Sequence, residues 1–266
     1  MHLFRFIMIT LLAESKTMGN TQSPISREDF IAHTPFFETQ ADSIMEYIAS
    51  LPPSQIASNL GISNQLAVKA HNLAYDFPHK LTGYKALNAF IGEAFRAFDV
   101  TTLPEETIEF SYDKLRIVSS VYGLLKPDDI IKPYRCEFNK TVSADHKTPI
   151  QIYKPKITVD FVKFIKENKI RDVINLLPGD ADKCFDWKII RAYTKVHKIC
   201  FQALTSEGKL KTPIAKRLKE LRGLMARIIL EQKIESFDDL KKAESHQFIF
   251  SPQDSKPLLP VFITTE

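Results

Sequence analysis

The sequence predicts an α+β fold in one compact domain, with a mixed sheet and surrounding helices. Strand-like and helix-like segments follow one another without the regular alternation of a doubly wound sheet, and no linker separates them. The 266 residues are 44% hydrophobic and 26% charged, an ordinary composition for a globular protein that buries a core without disulfides or metals. A count of only 8 glycines argues against a large all-β fold, which needs many tight turns.

The N-terminal segment is predicted to form a buried strand over residues 7–13, from which Glu14, Ser15 and Lys16 emerge. This segment resembles a signal peptide because it has an arginine and a short apolar run, but no A-x-A cleavage pattern follows. The run is also too short to span a bilayer, so we expect no membrane partner. We treat residues 1–7 as an N-terminal extension, with Met8 as a candidate start.

Helices are predicted for residues 37–76. Apolar residues at helical spacing predict a helix that the two prolines Pro52 and Pro53 end. Two shorter helices follow, over residues 54–60 and from Asn64 to about residue 76. Gly61 lies in the turn between them.

Between residues 84 and 122 the patterns predict a strand, a short helix that contains Gly92, and a longer helix. The longer helix begins at Pro104, a residue that is favoured in a first helical turn. On one face of that helix we place Leu115, Val118 and Tyr122.

The second half of the chain is predicted to mix helices and strands and to close in a hairpin. Helices are predicted over 157–169 and 213–232, the second of them basic, and Ser236 caps a shorter one. The remaining predicted elements are strands over 171–179 and 195–204, a hairpin turn over 205–211 and the closing hairpin over 246–264.

Several long segments are similar to one known family. The stretch LRIVSSVYGLLKPDDIIKPYRCEF (115–138) resembles the signature of the bacterial YaaA family of peroxide stress resistance proteins, and RGLMARIILEQKI (222–234) resembles a second element of that family. MITLLAESKTM (8–18) resembles its first strand, so the similarity extends from about Met8 to the end of the chain. Two stretches depart from the family pattern, 153–161 and 175–187, which indicates a diverged member.

The resemblance implies a domain of the YaaA type over residues 8–266, with a helix-hairpin-helix-like element at about 54–76. It also implies a basic cleft and DNA as a partner. The role implied is protection during hydrogen peroxide stress, where low free iron limits oxidative damage to DNA.

The motif around Arg135 presents a positive charge on a stiff turn. Pro133 fixes its own backbone, Tyr134 offers a rigid ring with a polar tip, and Arg135 has a planar, permanently charged fork that suits phosphate or carboxylate. The alternative is a structural ion pair between Arg135 and an internal acid such as Glu137. Both interpretations stay open at this point.

Cations from distant segments are predicted to meet in one anion-binding cleft. The family pattern keeps a lysine at Lys16, and the basic helix has Lys219 and Arg222 on a shared face. Gly223 lacks a side chain, which leaves room for another backbone or a ligand. The alternative is that these side chains are merely solvated. The predicted cleft residues are Lys16, Tyr122, Tyr134, Arg135, Lys219 and Arg222.

The turn between the two short helices is the second predicted site. Ser63 or Asn64 can cap the second helix, whose free backbone N–H groups then suit a DNA phosphate. Lys69 adds a backbone contact, and binding of this kind is independent of sequence. The alternative is a turn with no ligand. The predicted DNA-binding residues are Gly61, Ile62, Ser63, Asn64 and Lys69.

No catalytic motif is evident, so whether the protein is an enzyme stays open. An enzyme acting on a nucleotide or damaged nucleic acid in the same cleft is the alternative function, and Asp180 and Asp182 near Lys183 are candidates for it. A small anionic ligand is a possible partner. We expect no cofactor and no metal site, because His and Cys residues are scattered, and this disfavours an iron-binding protein.

The net charge and the cysteine content say little about the partners of the protein and its location in the cell. The net charge of +4 neither demands nor excludes nucleic acid. Three widely spaced cysteines indicate reduced thiols, and we therefore expect a cytoplasmic protein. The oligomeric state is left open.

Overall fold

Strand β1, Met8–Ala13, is the middle strand of the main sheet, and all six of its residues are buried. The structure is a computed structural model that describes residues 8–19, 21–25, 33–80 and 82–265. Strand β1 matches the predicted first strand, while residue 7 and the predicted extension 1–7 lie outside the described residues.

The main sheet has five strands in the order β4-β3-β1-β6-β7. Strands β3, β1, β6 and β7 are parallel, and β4 pairs antiparallel with β3 at one edge. Parallel strands are covered on both faces, which explains why β1 and β3 are buried along their whole length. The strands other than β1 are β3 (Leu115–Ser119), β4 (Gly123–Leu125), β6 (Asp172–Asn175) and β7 (Lys195–Lys198).

Two smaller sheets complete the strand content of the described residues. One has the order β10-β11-β8-β9 and combines parallel and antiparallel pairs, and the other pairs β2 with β5. Their strands are β2 (Tyr84–Lys85), β5 (Ile130–Ile131), β8 (Cys200–Leu204), β9 (Leu210–Lys211), β10 (Ile249–Lys256) and β11 (Leu259–Thr265). The predicted closing hairpin and the hairpin turn after residue 204 are therefore confirmed.

Eleven α-helices lie within the described ranges. In chain order they are α1 (Glu38–Ser50), α2 (Pro53–Leu60), α3 (Asn64–Asp76), α4 (Ala86–Ala89), α5 (Glu93–Phe98), α6 (Glu105–Lys114), α7 (Pro149–Asn168), α8 (Gly179–Asp182), α9 (Trp187–Ile190), α10 (Ala215–Glu231) and α11 (Phe237–Leu240). Together with the strands they form one α+β domain around a contiguous core, as predicted. None of the described helices is both long and apolar enough to cross a bilayer.

Three predictions about local structure were wrong. The helix that begins near Pro104 ends at Lys114, and the next five residues form β3, where pairing with β1 and β4 overrides the helical spacing. Gly92 precedes α5 instead of lying inside a helix. The predicted single strand over 195–204 is two strands in different sheets, with Ile199 between them.

Candidate functional site

A pocket of about 570 Å³ opens where the central parallel strands end. Glu14 and Lys16 follow β1, residues 176–181 follow β6, and both stretches line the pocket. Neighbouring parallel strands end at the same edge of a sheet, and ligands bind at that edge in open α/β sheets. The volume lies within the range of small-molecule sites, roughly 300–1,000 Å³.

Helix α10 brings Lys219 and Arg222 to this pocket. A Cβ atom on Gly223 would lie 1.9 Å from the carbonyl oxygen of Ala94, so the glycine is what lets α10 lie directly against the backbone of α5. Ala94 also lines the pocket. The prediction that Gly223 leaves room for another backbone is confirmed, and this close contact fixes where Arg222 stands.

Arg222 is a half-buried cation without a counter-ion among the described residues. Loss of hydration lowers the pKa of its guanidinium, and no neighbouring carboxylate offsets that effect. An unpaired charge in a partly dry site is costly unless an anion compensates it. Arg222 is therefore a candidate anion-binding group of the pocket.

Lys16, Glu137 and Arg135 form a second charged group beside the pocket. Glu137 pairs with the Lys16 ammonium through one carboxylate oxygen and accepts from Arg135 Nη2 at 3.2 Å through the other. Arg135 Nη1 donates to the Lys16 carbonyl oxygen at 3.0 Å. The ion pair with Glu137, the alternative left open by the sequence, is thus formed. Arg135 does not line the pocket, and its role in ligand binding stays a prediction.

Glu14 lies at the floor of the pocket and accepts three hydrogen bonds. The Ser120 backbone N–H donates at 3.0 Å, the Ser120 hydroxyl donates at 2.5 Å, and the Tyr134 hydroxyl also donates. Burial raises the pKa of Glu14 to about 7, although the three donors oppose the shift. A carboxyl group with that pKa exchanges protons near neutral pH, which suits acid–base chemistry.

The hydrogen bonds behind Glu14 have a fixed direction. Ser119 Oγ accepts from the backbone N–H groups of Val121 at 3.1 Å and Tyr122 at 2.9 Å, which occupies the acceptor lone pairs of a hydroxyl. Its own proton is then directed to Tyr134 Oη, 2.7 Å away. Tyr134 consequently directs its proton to Glu14, so the chain Ser119–Tyr134–Glu14 runs one way and ends at the pocket.

The six predicted cleft residues divide into two groups. Lys16, Lys219 and Arg222 line one pocket although they come from distant parts of the sequence. The other three lie behind or beside it: Tyr134 is buried under Glu14, and buried Tyr122 accepts a hydrogen bond from the Lys132 backbone N–H at 3.0 Å. Whether these six residues bind a ligand stays a prediction.

The turn between α2 and α3 has the predicted geometry. Gly61 adopts a left-handed conformation with φ +64°, and the Ser63 hydroxyl accepts from the Leu66 backbone N–H at 3.3 Å as the cap of α3. Gly61, Ser63, Asn64 and Lys69 are exposed, while Ile62 packs partly against the core. Whether these two helices form a helix-hairpin-helix motif stays a prediction.

A three-residue segment connects this turn with the pocket. Phe138 lines the pocket, and the Asn139 amide donates to Asp180, another lining residue, at 3.2 Å. The Lys140 ammonium lies 3.2 Å from where a Cβ atom on Gly61 would stand. Within the described part of the chain, Lys140 has no ion-pair partner.

The second stretch that departs from the family pattern, 175–187, contributes part of the pocket lining. Asp182 is not free for chemistry there, because it accepts from Asn175 at 2.7 Å and pairs with Lys198 at 3.0 Å. Asp180 does line the pocket, and it pairs with Lys183 at 3.1 Å. The two aspartates considered from the sequence thus have different roles.

Sequence reasoning missed Glu14 and Ser120 as site residues and did not identify Lys140. Glu14 is the first charged residue after a run of six buried ones, and this position at a strand end is the signal that could have found it. Ser120 and Lys140 have no comparable signal, because their contacts join segments that are far apart in sequence.

The cysteines are poorly suited to react with peroxide. Cys136 lines the pocket, yet burial raises its pKa to about 12, and burial raises the pKa of Cys184 to about 12 as well. Burial also raises the pKa of Cys200. The thiolate is the reactive form, so these thiols are weak nucleophiles at neutral pH.

Comparison with known proteins identifies the family. The profile of the family described as Peroxide stress protein YaaA matches residues 8–254. A UPF0246 protein from Shewanella denitrificans is 30% identical over 266 residues, covering 97% of this chain and 99% of that protein. A UPF0246 protein from Francisella tularensis subsp. novicida is 29% identical over 259 residues, covering 96% and 99%. The chain belongs to the peroxide stress protein YaaA family, and a general role in the response to peroxide follows from that membership.

Proposed function

We propose that the protein binds DNA without sequence specificity as part of the hydrogen peroxide response. The observation that carries this proposal is the continuity, through Phe138 and Lys140, between the exposed turn at Gly61 and the pocket that Lys219 and Arg222 line. A duplex that rests on the turn would thus lie beside the segment that leads to the pocket.

The turn supplies contacts that depend on the phosphate backbone alone. The first backbone N–H groups of α3 are exposed around Asn64, and the Lys140 ammonium stands beside Gly61. Such donors bind phosphate oxygens and do not read bases, which supports sequence-independent binding. Lys69, on the exposed side of α3, extends the positive surface.

The setting follows from the family. Binding to DNA during peroxide stress would place the protein where iron-driven oxidation does its damage, and a low level of free iron would limit that damage. We place the protein in the cytoplasm, consistent with three cysteines that are free. The poor reactivity of these thiols favours a binding role over a thiol peroxidase.

The test is a titration of two unrelated fluorescent duplexes at two salt concentrations. We expect equal affinity for the two sequences within a factor of about three, with a steep loss of affinity at higher salt. The double variant Lys69→Ala, Lys140→Ala removes two phosphate contacts, so the logarithmic salt slope should fall by about 2.

A matched control lies elsewhere on the surface. Lys163→Ala removes an exposed lysine that is roughly 20 Å along α7 from Ile150, whose backbone N–H bonds to Phe138. The control should bind DNA with the affinity and salt slope of the unchanged protein. Unchanged binding by the double variant would refute the proposed surface.

A second candidate function is an enzyme that acts on a nucleotide or on damaged nucleic acid. Glu14 supports it, because a carboxyl group with a pKa of about 7 lies at the floor of the basic pocket and receives a directed hydrogen-bond chain. Incubation with nucleotides and oxidised oligonucleotides, followed by mass spectrometry, tests for turnover. The activity should disappear in Glu14→Gln, and a complete absence of products would leave binding as the function.

A further inference from the structure

We propose that the pocket binds a single nucleoside monophosphate, with its phosphate on Lys219 and Arg222 and its sugar or base donating a hydrogen bond to Glu14. This inference goes beyond DNA binding and stands without it, because it concerns groups inside the pocket and none on the turn. It rests on the unpaired cations of the pocket, on the hydrogen bond that Glu14 can still accept and on the apolar residues of the lining.

The charge balance of the lining residues selects a monophosphate. Most of the charged side chains there are already neutralised: Lys16 pairs with Glu137, Arg96 pairs with Glu93 at 3.3 Å, and Asp180 pairs with Lys183 at 3.1 Å.

Two cations remain without a partner among the described residues, Lys219 and Arg222. They lie three residues apart on α10, so they share one face of the helix. A phosphate monoester has a charge of about −1.5 to −2 at neutral pH, which two unpaired cations offset, while Glu14, with a pKa of about 7, adds at most one negative charge to the pocket. A triphosphate would bring more negative charge than the pocket can neutralise.

Glu14 can accept one more hydrogen bond. An ionised carboxylate has roughly four lone-pair sites, and three of them are used by Ser120 and Tyr134. Glu14 lines the pocket, so the remaining site is available to a ligand N–H or O–H group. Sulfate has no such donor and inorganic phosphate keeps only its own O–H groups at neutral pH, whereas the sugar hydroxyls and base N–H groups of a nucleotide provide several donors at a distance from the phosphate.

Part of the pocket lining is apolar. Leu12, Ala13, Leu176 and Ala181 line the pocket together with the ring of Phe138. Ligand sites combine such surfaces with a few placed polar groups. A nucleoside offers the matching arrangement, since its flat ring packs on apolar surface and its edges form hydrogen bonds.

The experiment is isothermal titration calorimetry with the full chain. The probes are the four 2′-deoxynucleoside 5′-monophosphates, the corresponding nucleosides and inorganic phosphate. We expect at least one monophosphate to bind ten or more times as tightly as both its nucleoside and inorganic phosphate, a difference of about 1.4 kcal/mol or more. If no monophosphate binds more tightly than phosphate, the proposal is overturned.

Three variants separate the two ends of the ligand. Lys219→Gln and Arg222→Gln should weaken both the monophosphate and inorganic phosphate by about tenfold or more, in the range for charge-assisted hydrogen bonds. Glu14→Gln should weaken the monophosphate and leave phosphate unchanged or tighter. Lys219 is exposed, so its variant should fold even if the other two do not, and unchanged affinity in that variant would contradict the proposal.

The controls keep this result independent of DNA binding. Arg217→Gln changes an arginine on the same helix that pairs with Glu220 at 3.3 Å and does not line the pocket, so it should bind the monophosphate normally. The Lys69→Ala, Lys140→Ala variant should also bind it normally. If the unchanged protein binds a monophosphate but no duplex, only the DNA proposal is disproved, and if it binds a duplex but no monophosphate, only this one is disproved.

Discussion

Tyr134 donates a hydrogen bond to the carboxylate of Glu14, joining the first strand of the chain to a loop 120 residues later. Glu14 lines the pocket, and Tyr134 and Ser119 are buried behind it. Burial raises the pKa of Glu14 to about 7, and this hydrogen bond opposes the rise because it stabilises the ionised carboxylate. The contact is the basis of two predictions.

Tyr134→Phe should raise the pKa of Glu14 above about 7. The tyrosine hydroxyl stabilises the ionised form, and its loss leaves burial less opposed. We expect a cost of about 1–2 kcal/mol in unfolding free energy, because a buried acceptor loses its donor. Titration of the Glu14 side chain by carbon-13 NMR, with Lys163→Ala as the control, measures the shift. An unchanged pKa would show that the contact has no electrostatic effect.

Glu14 should make the fold less stable as pH rises through about 7. Its pKa in the folded state is above the ordinary value of 4.5, so the folded state holds the proton more tightly. The resulting stabilisation is complete below about pH 4.5 and is lost as pH passes the folded-state value. Burial raises the pKa of Asp129 to about 7 as well, so both carboxyl groups act in the same direction.

Chemical denaturation at pH 5 and pH 8 measures this effect in Glu14→Gln. The variant should lose less stability over that interval than the unchanged protein, by on the order of 1–2 kcal/mol. Identical pH dependence in the two proteins would mean that Glu14 titrates outside this window.

Gly223→Ala should destabilise the protein strongly. The added Cβ would lie 1.9 Å from the Ala94 carbonyl oxygen, a backbone atom that cannot rotate away, so α10 must move off α5. Overpacking of this kind costs about 1–3 kcal/mol or more. Gly179→Ala is a matched control, because its Cβ meets nothing within 4 Å. Thermal melts should show a clear loss for the first variant and almost none for the second.

Gly61→Val should weaken DNA binding beyond its effect on stability. The left-handed backbone at Gly61 costs about 1–2 kcal/mol for other residues, and the new side chain would also displace the Lys140 ammonium. Gly208→Val imposes the same backbone strain at φ +75° in the open turn after β8, with nothing nearby. Equal DNA affinity in both variants would assign the Gly61 turn a structural role only.

Arg135→Ala should lower stability more than it lowers ligand affinity. Arg135 bonds to Glu137 and to the Lys16 backbone, and these contacts hold the loop beside the pocket. We expect a loss of about 1–3 kcal/mol in unfolding free energy, with Arg135→Lys recovering part of it. A large loss of monophosphate affinity at unchanged melting temperature would instead support the direct phosphate contact suggested by the Pro133-Tyr134-Arg135 motif.

Most of the helices, caps and hairpins that depend on residues near one another in sequence were predicted correctly. The apolar run of β1, the caps at Ser63 and Ser236 and the closing hairpin depend on residues that are near one another in sequence. The strand Leu115–Ser119 was missed because its helical spacing is overridden by pairing with β1, a neighbour about a hundred residues away.

Of the candidate site, only the cationic residues were predictable from the sequence. The family motifs and the basic helix indicated Lys16, Lys219 and Arg222, whose chemistry is evident from residue type. The character of Glu14 arises from burial and from donors that tertiary folding brings to it, and neither is written near residue 14. Likewise, the sequence could not decide whether Arg135 would meet Glu137 or a ligand.

The pocket has a practical consequence for finding what occupies it. Its lining comes from five separated stretches, at residues 12–17, 92–96, 136–138, 176–181 and 219–222, so no fragment of the chain reproduces it. Any molecule that binds there holds the strands, the helices and the loops in register together. At a ligand concentration one hundred times its Kd, that linkage raises the unfolding free energy by about 2.7 kcal/mol. The melting temperature of the whole protein is therefore a sensitive indicator of occupancy, and a metabolite library can be screened by heat alone.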